Sequence, residues 1–298
     1  MRRILVVVAA LVLTTAGAAV ATDQDGRVPG TCGGLTVTIK GTSGAETIDG
    51  TPGDDVIHAG AGDDTVWGHG GNDTICGGGG DDTIGGGDGN DTLYGEEGDD
   101  RLDEYLVGPG GSGNDTMVGG PGDDDILGGV GDDLLVGSGG NDFIQGNPGN
   151  DRIRGKNGND YLMGGSGNDV MRGHGGNDLM QGGPDNDNMR GDEGDDYMNG
   201  DAGVDTLRGG DGDDVIRTGI PPAATYEADR AFGDDGNDYL FGGRPDLSSL
   251  LIELTGGDGD DWLMGGNKYH GGPGKDNCDG SPIATTSYKS CEFKIFYD

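Results

Sequence analysis

The sequence predicts an all-β chain wound as a solenoid, in which two thin parallel sheets enclose a narrow interior, and three observations carry that expectation. A nine-residue repeat of the form Gly-Gly-x-Gly-(Asp/Asn)-Asp-x-(Ile/Leu/Val/Met)-x recurs from about Gly41 to Asp279, and a fixed period of this kind marks a repeat architecture. One apolar residue falls at the eighth position of each clean repeat: Ile57, Val66, Ile75, Ile84, Leu93, Leu102, Met117, Ile126, Leu135, Ile144, Ile153 and Leu162, then Met171, Met180, Met189, Met198, Leu207 and Ile216. One inward residue in nine excludes an amphipathic helix and fills only a thin interior between two small sheets. Glycine makes up 70 of the 298 residues, aromatics are 5%, and the formal net charge is -37. Such a composition normally marks disorder, so something besides a hydrophobic core must hold the fold.

Each element follows in chain order. Residues 1–21 read as a secretory signal peptide, because Arg2 and Arg3 precede an apolar run from Ile4 to Val20 and Ala19-Val20-Ala21 offers a small-x-small cleavage site before Thr22. Residues 22–40 are a lead-in whose Leu35-Thr36-Val37-Thr38-Ile39, alternating apolar and hydroxylated, predicts a strand capping an open sheet end. Residues 41–103 hold seven repeats, with Gly50-Thr51-Pro52-Gly53-Asp54-Asp55-Val56-Ile57-His58 the first clean copy. Glycine at the first, second and fourth positions lets the first half of each repeat turn tightly and expose its carbonyl oxygens. Residues 104–109 interrupt the frame as an insertion, and 110–217 hold twelve further repeats. From 218 to 279 the frame breaks into single repeats at 233–241 and 256–264 and a degenerate one at 271–279, separated by loops over 218–232 and 244–255. Pro221-Pro222 marks a loop, and Ser248 to Leu254 reads as a short helix or strand. Residues 280–298 form a C-terminal cap, where Tyr288, Phe293, Ile295, Phe296 and Tyr297 gather an apolar cluster richer than anything in the repeats.

Two repeats make one coil, and coils stack at the strand spacing of about 4.8 Å. Stacking aligns the sixth-position carboxylates: Asp55, Asp64, Asp73, Asp82, Asp91 and Asp100 in the first block, then Asp115, Asp124, Asp133, Asp142, Asp151, Asp160, Asp169, Asp178, Asp187, Asp196, Asp205 and Asp214 in the second, with Asp238 and Asp261 in the single repeats. Alternate repeats occupy alternate edges, so Asp55 should lie above Asp73 and Asp64 above Asp82. Like charges about 5 Å apart repel by roughly 1 kcal/mol per pair even in water, and more in a partly dry cleft. Such a column needs a cation. A hard divalent ion taking six to eight oxygens suits it, whereas magnesium holds its waters and zinc prefers nitrogen or sulfur.

The repeats resemble those of the repeats-in-toxin (hemolysin-type) family, and in particular of secreted bacterial proteins made almost wholly of these repeats. The resemblance implies a right-handed parallel β-roll that binds multiple Ca2+ ions. It also implies that each ion sits between adjacent coils, held by the sixth-position aspartates named above and by turn carbonyls. Pairing each repeat with the next but one would give five sites in the first block and ten in the second. The chain departs from the family's best-known toxins, which use a C-terminal export signal and carry a separate active domain, so toxin activity is not implied.

Four cysteines in an exported chain read as two disulfides. Cys278 with Cys291 would close a short loop, and Cys32 with Cys76 would tie the lead-in to the fourth repeat, but spacing leaves all three pairings open. His58, His69, His174 and His270 show no His-Glu-x-x-His spacing, and His69 and His174 share the second repeat position, where exposure is expected. The paired carboxylates are all explained by the repeat, and no nucleophile lies beside a base. The expectation is an exported calcium-binding protein, not an enzyme, that is largely unfolded until calcium supplies the folding free energy. The alternative is a cell-surface adhesin or envelope-layer component with an unknown surface partner. The negative field argues against nucleic acid, and no membrane insertion of the mature chain is expected.

Overall fold

The structure is a computed structural model that describes residues 31–104, 111–219, 229–242, 252–265, 268–279 and 291–292. The chain divides into two compact units, Met1–Leu134 and Leu135–Asp298. In the first unit one sheet runs through Thr47–Asp49, Thr65–Gly70, Thr83–Asp88, Arg101–Asp103 and Asp125–Leu127. Its companion runs through Ile39–Lys40, Val56–Ala61, Thr74–Gly79, Thr92–Glu97 and Thr116–Pro121. Successive strands thus alternate between sheets, and every pairing within a sheet is parallel.

The repeat folds this way because each strand offers two small inward positions. In Thr65–Gly70, Val66 and Gly68 are buried while Thr65 and Trp67 are partly exposed, the period of two expected of a pleated strand. Ile57 stands opposite Ile75, and Ile75 opposite Leu93, so the eighth-position residues form a continuous apolar row. All eighteen eighth-position residues named from the sequence are fully buried.

In the second unit one sheet runs from Phe143–Pro148 through Tyr161–Ser166, Leu179–Pro184, Tyr197–Ala202, Val215–Arg217, Tyr239–Phe241 and Trp262–Met264 to Asp276–Asp279 and Cys291–Glu292. The other runs from Arg152–Asn157 through Val170–Gly175, Asn188–Glu193, Thr206–Asp211, Arg230–Asp235 and Glu253–Asp258 to Lys268–His270. Met171 pairs with Met189 and Met180 with Met198 in these rows, where unbranched side chains fill irregular space. Among the described residues the fold is all-β, and no helix is long and apolar enough to cross a membrane.

Several details depart from the sequence expectation. The stretch from Leu35 to Ile39 is two short strands rather than one: Leu35–Thr36 pairs antiparallel with Thr31–Cys32, whereas Ile39–Lys40 joins the parallel sheet beside Ile57. The split follows from Thr38, whose hydroxyl accepts from the Val56 N–H and so occupies the ladder. A Cys32–Cys76 disulfide, with Cα atoms 5.8 Å apart, fixes the hairpin to the roll. Cys278 is disulfide-bonded too, but the side chain of Cys291 lies outside the described residues. The interruption read as 218–232 is shorter, because strand resumes at Arg230 with Ala231 as the buried residue. Leu254 likewise belongs to the strand Glu253–Asp258. Tyr269 and Cys278 extend the core where the frame degenerates. The signal peptide, the loop at Pro221-Pro222, the start of the Ser248 to Leu254 stretch and the C-terminal apolar cluster fall outside the described residues.

Candidate metal centre

The sixth-position aspartates sit at the turn that feeds each strand, and stacking sets them in columns. Each backbone N–H donates to Oδ1 of the aspartate one coil further on. Along one edge of the first unit the bonds run Asp55 to Asp73 at 2.8 Å, Asp73 to Asp91 at 2.7 Å, Asp91 to Asp115 at 2.7 Å and Asp115 to Asp133 at 2.8 Å. Along the other edge they link Asp64, Asp82, Asp100 and Asp124, each at 2.8 Å. In the second unit one column passes from Asp142 through Asp160, Asp178, Asp196, Asp214, Asp238 and Asp261 to Asp276. The other passes from Asp151 through Asp169, Asp187 and Asp205 to Asp229. Asp55 therefore lies over Asp73 and Asp64 over Asp82, as the period required. All twenty sequence-assigned aspartates are buried, none more than 7% exposed.

The second carboxylate oxygen is what makes the arrangement chemically incomplete. Oδ2 of Asp73, Asp82, Asp91, Asp100 and Asp115, and of Asp178, Asp187, Asp196, Asp205 and Asp214, is buried with no hydrogen-bond partner among the described residues. Buried carboxylate oxygens are rarely left so. The unmet oxygens face a cradle kept open by the first-position glycine. A Cβ on Gly200 would stand 2.5 Å from Asp205 Oδ2 and 2.7 Å from the carbonyl oxygen of Thr218, so the carboxylate and the carbonyl of the next coil converge on one small space. Burial pushes the Asp187 and Asp196 carboxyls up to about 8 and those of Asp178, Asp205 and Asp214 up to about 7. Neighbouring column carboxylates add to the rise at Asp187 and Asp196, and the donated backbone N–H opposes it. Converging anionic and carbonyl oxygens, all hard donors, fit a calcium ion. The ion would supply the positive charge that these oxygens lack.

The columns are not uniform. Ala59, fully buried, occupies a first position where the other repeats of both blocks carry glycine. Sequence reasoning passed over four buried carboxylates, of which Asp103 pairs with Arg101 and the other three bear on the columns. Asp276 is the sixth residue of the degenerate repeat and a continued count would have found it; Asp229 hides in a stretch read as interruption. Glu104 opens the insertion at 104–109, is fully buried, and lies with Asp91 and Asp115 so that one oxygen from each falls within 4.8 Å of the others.

The role of the fifth position was also missed. There a second, exposed ladder runs in the opposite direction: the Asn72 N–H donates to Asp54 Oδ1 at 2.8 Å, and the Asn90 N–H to Asn72 Oδ1 at 2.9 Å. The ladder needs only Oδ1 as its acceptor, which is why Asn and Asp interchange at this position. Among the histidines, His69 is exposed and its Nε2 lies 3.2 Å from Asp49. His174 is half-buried instead of exposed, 3.5 Å from Asp192, and burial lowers its pKa.

The model of the RTX calcium-binding nonapeptide repeat (4 copies) matches residues 40–75, 77–103, 109–144, 145–180, 181–216, 224–244 and 253–267. No curated protein matches the chain. The matched segments carry the same aspartate columns, glycine cradles and buried eighth-position rows described above. With that match spanning most of its length, the chain belongs to the RTX calcium-binding nonapeptide repeat family.

Proposed function

We propose that this is an exported calcium-binding protein whose roll forms as calcium enters the aspartate columns. The carrying observation is the row of buried, unpartnered Oδ2 atoms, which supports a fold that is complete only with its counterions. The sixth-position aspartates are the proposed ligands, joined by first-position carbonyls such as that of Thr218. Because buried ionised carboxylates are costly, ion binding and folding become one free-energy change. The export component rests on the Arg2-Arg3 leader with its apolar run. Outside the cell calcium is abundant, and sites of roughly 0.1 to 1 mM affinity would be filled there. The rod itself is the working part in this reading, with no catalytic role assigned.

A calcium titration of the chain, followed by far-ultraviolet circular dichroism and calorimetry, tests the proposal. A disordered spectrum converting to β with heat of calcium uptake is expected. A chelated chain with the same β spectrum and no metal uptake would overturn it.

The adhesin reading has one observation in its favour. Tyr161, Leu179, Tyr197, Val215, Tyr239 and Trp262 stand in register on the outer face of one sheet of the second unit, with Leu179, Tyr239 and Trp262 more than 40% exposed. Calcium-dependent retention on cell walls would favour it over a freely soluble protein.

A further inference from the structure

We infer that Asp91, Glu104 and Asp115 form a three-carboxylate cation site that takes up calcium before the two-carboxylate positions do; the inference rests on the calcium-binding reading above. Oxygens of the three side chains approach within 4.8 Å of one another, and all three residues are buried. Asp91 Oδ2, Glu104 Oε1 and Asp115 Oδ2 each lack a hydrogen-bond partner among the described residues. Glu104 is fully shielded from solvent, and its Oε2 accepts the Gly87 N–H at 2.6 Å. One oxygen therefore anchors the side chain while the other is left unmet, as is one oxygen on each of the two aspartates. Three anions held this close repel strongly in a dry site, and a divalent cation is the partner that reverses the sign.

The chain supplies its own comparison. Glu104 falls one coil after Gly86 and opens the insertion that lengthens the step from Asp91 to Asp115 to 24 residues, where the ordinary step is 18. The step from Asp205 to Asp229 is also 24. There the residue one coil after Gly200 is Thr218, equally buried but neutral. Closing a lengthened coil therefore does not require a carboxylate at this place. What Glu104 adds is a third charge, and ligand charge count is a principal control on calcium affinity. Within the folded coil its anchored Oε2 also fixes the direction of the side chain toward Asp91 and Asp115.

Equilibrium dialysis of the full chain against radioactive calcium at buffered low free concentrations tests the site. The wild type should bind its first equivalent at a free concentration roughly tenfold or more below that needed by E104Q, consistent with the span over which charge count tunes affinity. Gln keeps the acceptor for the Gly87 N–H, and Glu97→Gln, which removes a charge from an exposed position of the same unit, should leave the first equivalent in place. Glu104→Asp, which keeps the charge on a shorter arm, guards against a folding effect and should recover part of the affinity. An E104Q chain that binds its first calcium at the wild-type concentration would overturn the inference while leaving the general reading intact. A wild-type chain that binds no calcium would overturn both.

Discussion

Acid should rebuild the calcium-free roll. The Asp187 and Asp196 carboxyls lie at about 8 in the folded chain, against 3.8 for an unperturbed aspartate, with burial the leading cause. At about 1.4 kcal/mol per pH unit, holding Asp187 ionised in the fold costs on the order of 5 kcal/mol. Two such groups already match the net stability of an ordinary domain, about 5–15 kcal/mol. Because the folded pKa lies above the unfolded one, the folded chain binds the extra protons. Its stability is full below 3.8 and is lost as pH rises through the folded values, about 6 at Asp73 and Asp91 and about 8 at Asp187. Far-ultraviolet circular dichroism in chelator, taken from pH about 8 down to pH about 5, should therefore show β signal returning, because the proton does at each column what calcium does at neutral pH. With saturating calcium the signal should stay flat over that range. A chelated spectrum identical at both ends would refute the reasoning, since it would mean that the column carboxylates do not control folding.

Other perturbations separate the parts of the design. Asp187→Asn keeps an acceptor for the Asp169 N–H but removes the charge. In chelator it should stabilise the roll by up to about 5 kcal/mol near neutral pH, and in calcium it should lose bound ion by calorimetry; no gain in chelator would count against the charge argument. Gly200→Ala pushes a methyl against Asp205 Oδ2 and the Thr218 carbonyl, so it should lower calcium stoichiometry and cost about 1–3 kcal/mol in denaturant unfolding with calcium present. Stoichiometry equal to wild type would show that the cradle is not where the ion sits. Cys32→Ser opens a link between residues 44 apart in sequence, and the chain-entropy relation gives a loss of about 4 kcal/mol. Thermal melts of the calcium-loaded protein should show the variant melting below the wild type without reductant and the two coinciding in its presence, because reductant opens the Cys278 bridge in both chains.

Much of the fold was legible because the repeat states one small problem many times. Once Ile57, Val66 and Ile75 were placed nine residues apart, the two sheets, the inward row and the stacking of Asp55 on Asp73 followed from strand periodicity and spacing. Legibility failed where the count failed. Asp229 and Tyr269 hold column and core places in stretches whose spacing no longer repeats, so only the neighbouring coil reveals their positions. The lead-in strand divided because the Thr38 hydroxyl competes for a ladder bond, a local choice that alternating apolarity does not encode.

By itself the sequence determined the period, the identity of the buried apolar row and the presence of an anionic column in need of a cation, because each of these is a property of one repeat and its copy. Tertiary structure decided which oxygen of each aspartate is used by the backbone and which is left for an ion. It also showed that Glu104 turns inward from an insertion to join Asp91 and Asp115. The physical reason is that hydrogen-bond direction and burial depend on the coil above and the coil below, and in this chain those neighbours lie 15 to 24 residues away.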